Sequence, residues 1–482
     1  MTLWTATDAV AATGGTTTTD WNATGVSIDT RTLEPGDLFV ALEAARDGHD
    51  FVAQALEQGA AAALVSRVPD NVAPDAPLLM VDDVLKGLEA LGVAARARTQ
   101  ARVVAITGSV GKTSTKEMMR AILGDQGRTH ASVASYNNHW GVPLTLARMP
   151  VDAEYAVIEI GMNHPGEIAP LARFARPHVA MITTVAAAHL EAFESIEEIA
   201  LEKASILEGL EYGGTAILNN DCSTAAILQA KAHDVKRHDI GFGEHGFDFV
   251  LKSVDLGREV TVVQAMVHDA PLLFKIGAVG RHYAMNGLGA LAAAEALGAD
   301  LALAVQSLGR WSPYRGRGAR EVIRLDAVDT RMTLELIDDS YNANPTSMQA
   351  ALDVLAAAEV TNDIGRVSKG RRIAFVGDMK ELGPEGPGMH AALADLEAVA
   401  TIDIIHCIGP LMRHLHKALP AHKQGLWTET AAEMEARVAR RLDSGDVVLV
   451  KGSLSMKLAL IVDVIRKMGH PVITGDDPQD NA

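Results

Sequence analysis

The feature that most constrains the fold is a glycine-rich turn between a short apolar run and a helical pattern. The apolar run covers residues 103–107, the turn reads Thr107-Gly-Ser-Val-Gly-Lys-Thr113, and the helical pattern has Met118, Met119 and Ile122 at apolar positions. A buried strand that turns directly into a helix favours a parallel sheet covered by helices. The backbone N–H groups of such a turn bind phosphate, together with the helix N-terminus. The sequence therefore predicts an α/β domain with a phosphate-binding loop.

The same loop predicts how a nucleotide would be held. Lys112 can neutralise the β- and γ-phosphates, and the Thr113 hydroxyl can ligate Mg²⁺. The other nucleotide-binding positions of the loop are Thr107, Gly108, Ser109, Val110 and Gly111. The standard pattern has its first glycine at 106, where this chain has Ile106, so the loop is of the shortened form Thr-Gly-x-x-Gly-Lys-Thr. An ordinary glycine-rich turn is the alternative interpretation.

The length and the spacing of breaks predict three domains. A chain of 482 residues folds as about three domains. Residues 1–98 have the short strand-like runs of a small α/β domain, and proline and glycine interrupt the chain again around 311–318. We expect domains at 1–98, 99–311 and 312–482, all α/β. The central one carries the phosphate loop on a mostly parallel sheet, and the last is of Rossmann type, with strand ends that bind ligands.

Charge and cysteine content exclude several classes of function. The chain has 43 basic and 61 acidic residues and a net charge of −18, which leaves no broad basic surface for nucleic acid or an anionic membrane. Cys222 and Cys407 lie far apart, so neither a disulfide framework nor a zinc site is indicated. The sequence has no signal peptide pattern and no apolar window of membrane-spanning length. We expect a cytoplasmic protein without membrane insertion.

Two polar residues follow strand-like runs in the central region. Glu159 ends the apolar run at 155–158, which is the position of an acidic Mg²⁺ ligand beside a phosphate loop. An exposed carboxylate at a strand end is nearly as good an interpretation. His189 follows the run at 179–185, and a lone histidine there is more often a packed or surface residue than a ligand.

A lysine occupies an apolar position of a predicted helix. The stripe comprises Ile196, Ile199, Ala200, Lys203, Ile206, Leu207 and Leu210. Periodicity alone favours a Lys203 side chain whose ammonium extends to solvent.

The motifs together resemble those of the Mur ligase family along nearly the whole chain. In the first domain they are Ser27-Ile-Asp-Thr-Arg31, Gly36-Asp-Leu-Phe-Val-Ala and Asp47-Gly-His49. In the central domain they are the phosphate loop, Asn137-Asn-His-Trp-Gly-Val-Pro143, Glu159-Ile-Gly-Met-Asn163, His189-Leu-Glu and the Lys203 helix. In the third domain they are Gly316-Arg317, Asp338-Asp-Ser-Tyr-Asn-Ala-Asn-Pro345, Gly377-Asp-Met-Lys-Glu-Leu-Gly383 and Lys451-Gly-Ser. The string that begins at Asp338 resembles that of the family members that add a dipeptide.

The resemblance implies an ATP-dependent amide ligase that uses Mg²⁺ and an acyl-phosphate intermediate in peptidoglycan precursor synthesis. It implies UDP-N-acetylmuramoyl-tripeptide and D-alanyl-D-alanine as the molecules that are joined. It also implies that Lys203 is carbamylated on Nζ. The implied metal ligands are Thr113, Glu159, His189 and Lys203, and the implied catalytic residues are Lys112, Glu159, His189 and Lys203.

The resemblance further assigns contacts to the two nucleotides. Asn286 would meet adenine, Arg317 would approach the phosphates from the third domain, and Asp338 would line the nucleotide cleft. Asn286 could instead be a helix N-cap, and Arg315 or Arg320 could take the role of Arg317. The residues implied for the substrate are Ser27, Thr30, Arg31, Asp47, Gly48 and His49 at the uridine diphosphate and Asn137 and Asn138 at the muramoyl-peptide.

Two other functions are considered. Folylpolyglutamate synthase shares the phosphate loop, but the first-domain Asp-Thr-Arg segment and the Tyr-Asn-Ala-Asn-Pro string argue against it. A guanine-nucleotide switch would need Asn-Lys-x-Asp, which the chain lacks. The sequence leaves open whether the third residue of the tripeptide is lysine or meso-diaminopimelate.

Overall fold

The structure is a computed structural model, and it describes residues 2–73, 75–133, 135–188, 190–365 and 367–470. Its three α/β domains are built on separate sheets, which confirms the predicted fold class. Among these residues, no helix has both the length and the apolar character needed to cross a membrane.

The first domain has a five-stranded sheet in the order β2-β7-β6-β5-β4, beside a two-stranded pair of β1 and β3. Its strands are β1 (Trp4–Thr5), β2 (Thr16–Thr17), β3 (Asn22–Ala23), β4 (Gly25–Ser27), β5 (Asp37–Val40), β6 (Ala62–Val65) and β7 (Leu78–Met80). Its helices are α1 (Ala6–Thr13), α2 (Val52–Glu57) and α3 (Val84–Arg98). Strands β4 to β7 pair in parallel, and β2 is an antiparallel edge.

The central domain has a nine-stranded sheet in the order β16-β15-β14-β13-β12-β11-β8-β10-β9. Its strands are β8 (Arg102–Thr107), β9 (Thr129–Ala131), β10 (Tyr155–Glu159), β11 (Val179–Ile182), β12 (Thr215–Asn219), β13 (His238–Gly243), β14 (Phe249–Leu256), β15 (Thr261–Val267) and β16 (Ala270–Ile276). Its helices are α4 (Lys112–Gly124), α5 (Gly141–Ala147), α6 (Ile168–Ala175), α7 (Ile196–Ala204), α8 (Ala225–Asp234), α9 (Arg281–Ala296) and α10 (Leu301–Arg310). Strands β8 to β14 pair in parallel, whereas β15 and β16 extend the sheet in antiparallel fashion.

The apolar residues of β8 explain why this sheet is parallel and central. Val104 and Ile106 belong to the core on one face of the sheet, and Val103 and Ala105 to the core on the other. Successive side chains of a strand point to opposite faces, so a continuous apolar run needs helices on both sides. Helix α9 supplies one such cover, with an alanine- and glycine-rich surface that is almost wholly buried.

The third domain has a six-stranded sheet in the order β17-β18-β22-β19-β20-β21. Its strands are β17 (Ala319–Arg324), β18 (Thr333–Asp339), β19 (Arg372–Gly377), β20 (Ile404–Ile408), β21 (Gln424–Thr428) and β22 (Val447–Lys451). Its helices are α11 (Pro345–Ala357), α12 (Gly386–Ala392), α13 (Glu397–Thr401), α14 (Met412–Ala418), α15 (Ala431–Val438) and α16 (Ala459–Lys467). Strand β17 is antiparallel to β18, and the other strands are parallel.

Candidate active site

A large set of polar side chains lines a cleft of about 590 Å³ between the central and third domains. On the central side the cleft begins where β8 and β10 end, and on the other side where β18, β19 and β22 end. These are the carboxyl ends of parallel strands, where open α/β sheets bind their ligands.

The phosphate loop connects β8 to α4 and forms one wall of the cleft. Gly108 and Gly111 have φ angles of 151° and 87°, a backbone region that residues other than glycine rarely adopt. A Cβ atom on Gly111 would lie 2.6 Å from Asn286 Oδ1, so the loop also packs too tightly for alanine there. The Lys112 ammonium donates to the Gly108 carbonyl oxygen over 2.6 Å, and its burial lowers its pKa. The loop is thus a rigid cradle with a cation at its base.

Residues that follow β11 form further hydrogen bonds to the phosphate loop. The Thr183 hydroxyl donates to the Val110 carbonyl oxygen over 2.6 Å, and the Ser109 hydroxyl donates to the Ala186 carbonyl oxygen over 3.0 Å. Thr107 is fully buried at the end of β8. These contacts hold the turn in one conformation before any ligand binds.

Glu159 is the last residue of β10 and is fully buried beside the loop. Its Oε1 accepts hydrogen bonds from the Thr113 hydroxyl over 3.1 Å and from Asn137 Nδ2 over 2.7 Å. Its Oε2 is buried and has no hydrogen-bond partner among the described residues. A buried, unpaired carboxylate oxygen next to a hydroxyl fits Mg²⁺, which prefers oxygen ligands.

Lys203 lies in the last turn of α7 and does not reach solvent, since only 1% of the residue is exposed. The prediction that the Lys203 ammonium extends to solvent is therefore wrong. The apolar stripe of α7 faces the core, and Lys203 is buried as part of this stripe. Neither a hydrogen bond nor an ion pair of this ammonium occurs within the described ranges. Burial lowers its pKa well below the ordinary range, and the nearby Lys112 ammonium lowers it further.

The third domain contributes Arg317 to the cleft. Its guanidinium carbon lies 4.1 Å from the centre of the Tyr341 ring, and one guanidinium nitrogen donates to the Ser135 hydroxyl over 3.2 Å. Arg315 is exposed and lies outside the cleft lining, and Arg320 pairs with a glutamate on β18. Arg317 is thus the arginine of this segment that lines the cleft.

Two neighbouring aspartates at the end of β18 point in opposite directions. Asp338, which the resemblance assigned to the nucleotide, pairs with Arg466 over 2.9 Å and lies outside the cleft lining. Asp339 lines the cleft and accepts from Lys451 Nζ over 2.7 Å. Successive side chains of a strand point to opposite faces of the sheet. Asp338 is on the same face as Leu336, which packs in a hydrophobic core, and Asp339 is on the opposite face.

The remaining central-domain candidates lie close to the loop. Asn286 is inside α9 and not at its N-terminus, so the N-cap interpretation is wrong; its amide lies against Gly111. Asn137 contacts Glu159, and the Asn138 side chain accepts from the Gly141 N–H over 2.9 Å, at the start of α5. His189 lies outside the described residues.

The first-domain candidates surround a separate pocket of about 780 Å³. Thr30, Arg31 and Gly48 line this pocket, whereas Ser27 is buried beneath it. His49 is also buried: its Nδ1 donates to Asp47 Oδ1 over 2.7 Å, and its Nε2 accepts from the Ser66 N–H over 3.1 Å.

Comparison with known proteins agrees with this architecture. Residues 22–99, 106–294 and 323–454 match the family models described as Mur ligase family, catalytic domain; Mur ligase middle domain; and Mur ligase, glutamate ligase domain. The chain belongs to the Mur ligase family. It is 36% identical over 450 residues to the UDP-N-acetylmuramoyl-tripeptide–D-alanyl-D-alanine ligase of Escherichia coli, covering 92% of this chain and 94% of that one. It is 35% identical over 447 residues to the ligase of the same description from Bacillus subtilis, covering 91% and 92%.

Solved structures extend this similarity. A MurF crystal structure from Acinetobacter baumannii superposes on this Mur ligase with a TM-score of 0.80 at 30% identity, covering 96% of this chain and 98% of the other. MurF from Thermotoga maritima in complex with ADP gives a TM-score of 0.74 at 25% identity, covering 92% and 97%. Folylpolyglutamate synthase from Mycobacterium tuberculosis, at 16% identity and a TM-score of 0.58, shares the fold alone.

The cleft of this Mur ligase contains polar residues to which no role was assigned from the sequence. They are Asp339, Lys451, His282 and Lys380. Burial, and to a lesser extent Lys451, lowers the pKa of His282 to about 4, so its ring is neutral at pH 7. Period-two alternation along β18 could have identified Asp339, whereas the other three are brought together only by the packing of distant segments.

Proposed function

We propose that this Mur ligase joins D-alanyl-D-alanine to UDP-N-acetylmuramoyl-tripeptide, using ATP and forming ADP and phosphate. The product would be the UDP-muramoyl-pentapeptide precursor of peptidoglycan. The observation that carries the proposal is the cleft in which the phosphate loop, Glu159 and Arg317 meet. The relatives above 30% identity support the choice of substrates, because their names specify this dipeptide ligation. The folylpolyglutamate alternative is not favoured, since its similarity extends to the fold alone.

ATP would bind with its phosphates against the loop at Gly108–Thr113. The loop N–H groups and the α4 N-terminus favour the phosphate charge, and Lys112 is placed to neutralise it from within the loop. Arg317 would add a second cation from the third domain. Asn286, against Gly111, is the candidate for the adenine contact, and Asp339 replaces Asp338 as the aspartate that faces the nucleotide.

Thr113 and Glu159 would hold Mg²⁺, with His189 as a further ligand implied by the family resemblance. The bound ion would neutralise charge on the transferred phosphoryl group. The unpaired Glu159 Oε2 supports this assignment, because an ionised oxygen buried without a partner is costly. Asn137 keeps the carboxylate in one orientation through Oε1.

Carbamylation of Lys203 belongs to the same proposal. A lysine that is buried without an anion favours the neutral amine, which is the form that reacts with CO₂. The carbamate would turn this neutral amine into an anion, which would attract the Lys112 ammonium and assist the Mg²⁺ ligands. Lys112 and the modified Lys203 would then form a complementary pair of charges.

The chemistry has two steps. The tripeptide carboxylate attacks the γ-phosphate in line and ADP leaves, while Lys112 and Arg317 stabilise the charge that accumulates on the phosphate oxygens. The dipeptide amine then attacks the carbonyl carbon of the acyl-phosphate, the bond from this carbon to the phosphate oxygen breaks, and phosphate and the amine proton are released. Because water would hydrolyse the acyl-phosphate, the two domains must exclude it from the cleft between them.

The first-domain pocket would bind the uridine diphosphate, with Thr30, Arg31 and Gly48 in contact with it. Asp47 and His49 would act indirectly by fixing the pocket wall, and buried Ser27 by fixing the turn that follows β4. Asn138, which lines the cleft, would meet the muramoyl-peptide. We also propose domain limits at 1–98, 99–311 and 312–482 and a cytoplasmic location, where ATP and nucleotide-linked sugars are available.

Phosphate release provides the test. The wild-type protein should release phosphate from ATP only when both UDP-N-acetylmuramoyl-tripeptide and D-alanyl-D-alanine are present. Lys112→Ala should lose this activity, because the phosphate charge is no longer neutralised within the loop. Lys252→Ala, at an exposed position on β14, is the matched control. Turnover of ATP without either substrate, or with glutamate in place of the dipeptide, would contradict the proposal.

A further inference from the structure

Two lysines in the cleft, Lys451 and Lys380, have no role in the steps above. The basic side chains that line the cleft in the described part of the chain include Lys112, Arg317, Lys451 and Lys380. Lys112 and Arg317 face the phosphate site. Lys451 is only 2% exposed and is neutralised by Asp339. Lys380 also pairs with a carboxylate, that of Asp378, but 41% of its side chain is exposed, so its ammonium can contact a further anionic group.

Lys380 is held in a defined position. It lies three residues after the end of β19, and its backbone N–H donates to the Ser453 hydroxyl over 3.0 Å. Its ammonium donates to Asp378 Oδ2 over 3.1 Å. Asp378 is itself fully buried, and its Oδ1 accepts from the Met412 N–H over 2.8 Å. One ammonium N–H is therefore used for orientation, and two are left for a ligand.

The third-domain side of the cleft includes small apolar side chains. Ala343, Ala350 and Ala351 line it, and Ser453 connects Lys380 to Ala343, because its hydroxyl accepts from the Lys380 N–H over 3.0 Å and donates to the Ala343 carbonyl oxygen over 3.5 Å. Methyl-sized side chains leave room for methyl groups and reject larger branched ones. A cation next to such a wall matches a short peptide that has small side chains and a terminal carboxylate.

We propose that Lys380 binds the C-terminal carboxylate of the incoming D-alanyl-D-alanine and thereby determines which amine substrate is accepted. This inference rests on the proposed function. Charge-assisted hydrogen bonds from an ammonium to a carboxylate are stronger than neutral ones, so the contact contributes both affinity and orientation. With its carboxylate at Lys380, the dipeptide lies in the third-domain end of the cleft, and its amine can extend toward the phosphate loop.

The test compares two amine substrates in the wild-type protein and in Lys380→Met. The substrates are D-alanyl-D-alanine and its C-terminal amide, which lacks only the negative charge. The wild-type protein should prefer the free acid by about 10- to 100-fold in kcat/KM, as expected for a hydrogen bond to a charged group. Lys380→Met should lose this preference through a higher KM for the acid, with the KM values for ATP and UDP-tripeptide unchanged. Lys380→Arg should keep most of the preference.

Controls separate this inference from the proposed function. Lys417→Met, at an exposed position on α14, should behave as wild type with both substrates. If the wild-type protein is active but Lys380→Met discriminates between acid and amide equally well, the Lys380 inference is overturned and the ligase function stands. A change in the KM for UDP-tripeptide alone would also overturn it, since the bound carboxylate would then belong to the tripeptide. If the wild-type protein ligates neither amine, both proposals fail.

Discussion

Lys203 in the central domain and Lys451 in the third domain are both almost wholly buried, and their surroundings differ. Lys451, at the end of β22, donates to Asp339 over 2.7 Å and to the Asn342 carbonyl oxygen over 2.9 Å. Lys203, in α7, has no such partner within the described ranges, and Lys112 is the charge that acts on it most strongly.

The difference shows two ways in which a buried basic group is stabilised. A carboxylate and a carbonyl oxygen replace the water shell of the Lys451 ammonium. Lys203 has neither, so burial favours loss of its proton and leaves a nucleophilic amine inside the protein. A buried lysine with partners is part of the scaffold, whereas one without partners is a candidate for chemistry.

The largest effect is expected when Lys203 is removed. Lys203→Ala should lower ligase activity by about 10²- to 10³-fold, the loss typical of removing one preorganised electrostatic group from an active site. Lys203→Glu should retain part of the activity, because a carboxylate restores the negative charge of the proposed carbamate. The measurement is phosphate release with both substrates, and ¹³C NMR after exposure to ¹³CO₂ should give a carbamate signal in the wild-type protein alone. Full activity of Lys203→Ala would mean that the buried lysine without a partner has no more part in the chemistry than the paired one.

A smaller effect, on stability, is expected at the paired lysine. Lys451→Met leaves the carboxylate of Asp339 without its cation and should lower the free energy of unfolding of the third domain by roughly 3 kcal/mol. The double variant Lys451→Met/Asp339→Asn should be more stable than the single one, because the unpaired charge is gone. Urea denaturation of the two variants measures this coupling. Equal stability of the single variant and the wild type would mean that the pair is not a structural one.

The smallest effect concerns a third buried base, His406 on β20. Its Nδ1 accepts from the Leu426 N–H over 2.9 Å, and burial lowers its pKa from 6.5 to about 4. The folded state therefore keeps the ring neutral while the unfolded state takes up a proton below pH 6.5. Stability due to this group is present at pH 7 and is lost as the pH falls toward 4, by roughly 2 kcal/mol between pH 7 and pH 5.

His406→Asn tests this sign, because it keeps an acceptor for the Leu426 N–H and removes the titration. The loss of unfolding free energy between pH 7 and pH 5 should be smaller in this variant than in the wild type. An unchanged loss would show that His406 is protonated in the folded state. Burial of a basic group without an anionic partner would then not be enough to keep that group neutral.

Much of the central domain could be predicted from the sequence. The phosphate loop and Glu159 are local features: each follows a continuous apolar run, and a run of that kind predicts both a buried strand and the position of its end. The antiparallel strands β15 and β16 were not identified, although their alternating residues are typical of strands. In the third domain, the strand ends were predicted, but not the direction of the side chains on them, as the two aspartates of β18 show.

The sequence by itself determined the α/β class, the phosphate loop and the strand ends that face the cleft, because these depend on residues adjacent in the chain. The tertiary structure decided which polar side chains meet there. Asp339 and not Asp338 lines the cleft because of the face that β18 presents to the domain core, and Lys203 is buried because its whole stripe packs inward. Lys380 shares a cleft with the phosphate loop only because β8, which ends at Thr107, and β19, which ends at Gly377, bring their carboxyl ends together although they belong to different sheets. Burial and charge pairing depend on such distant contacts, and they set the chemistry of each group.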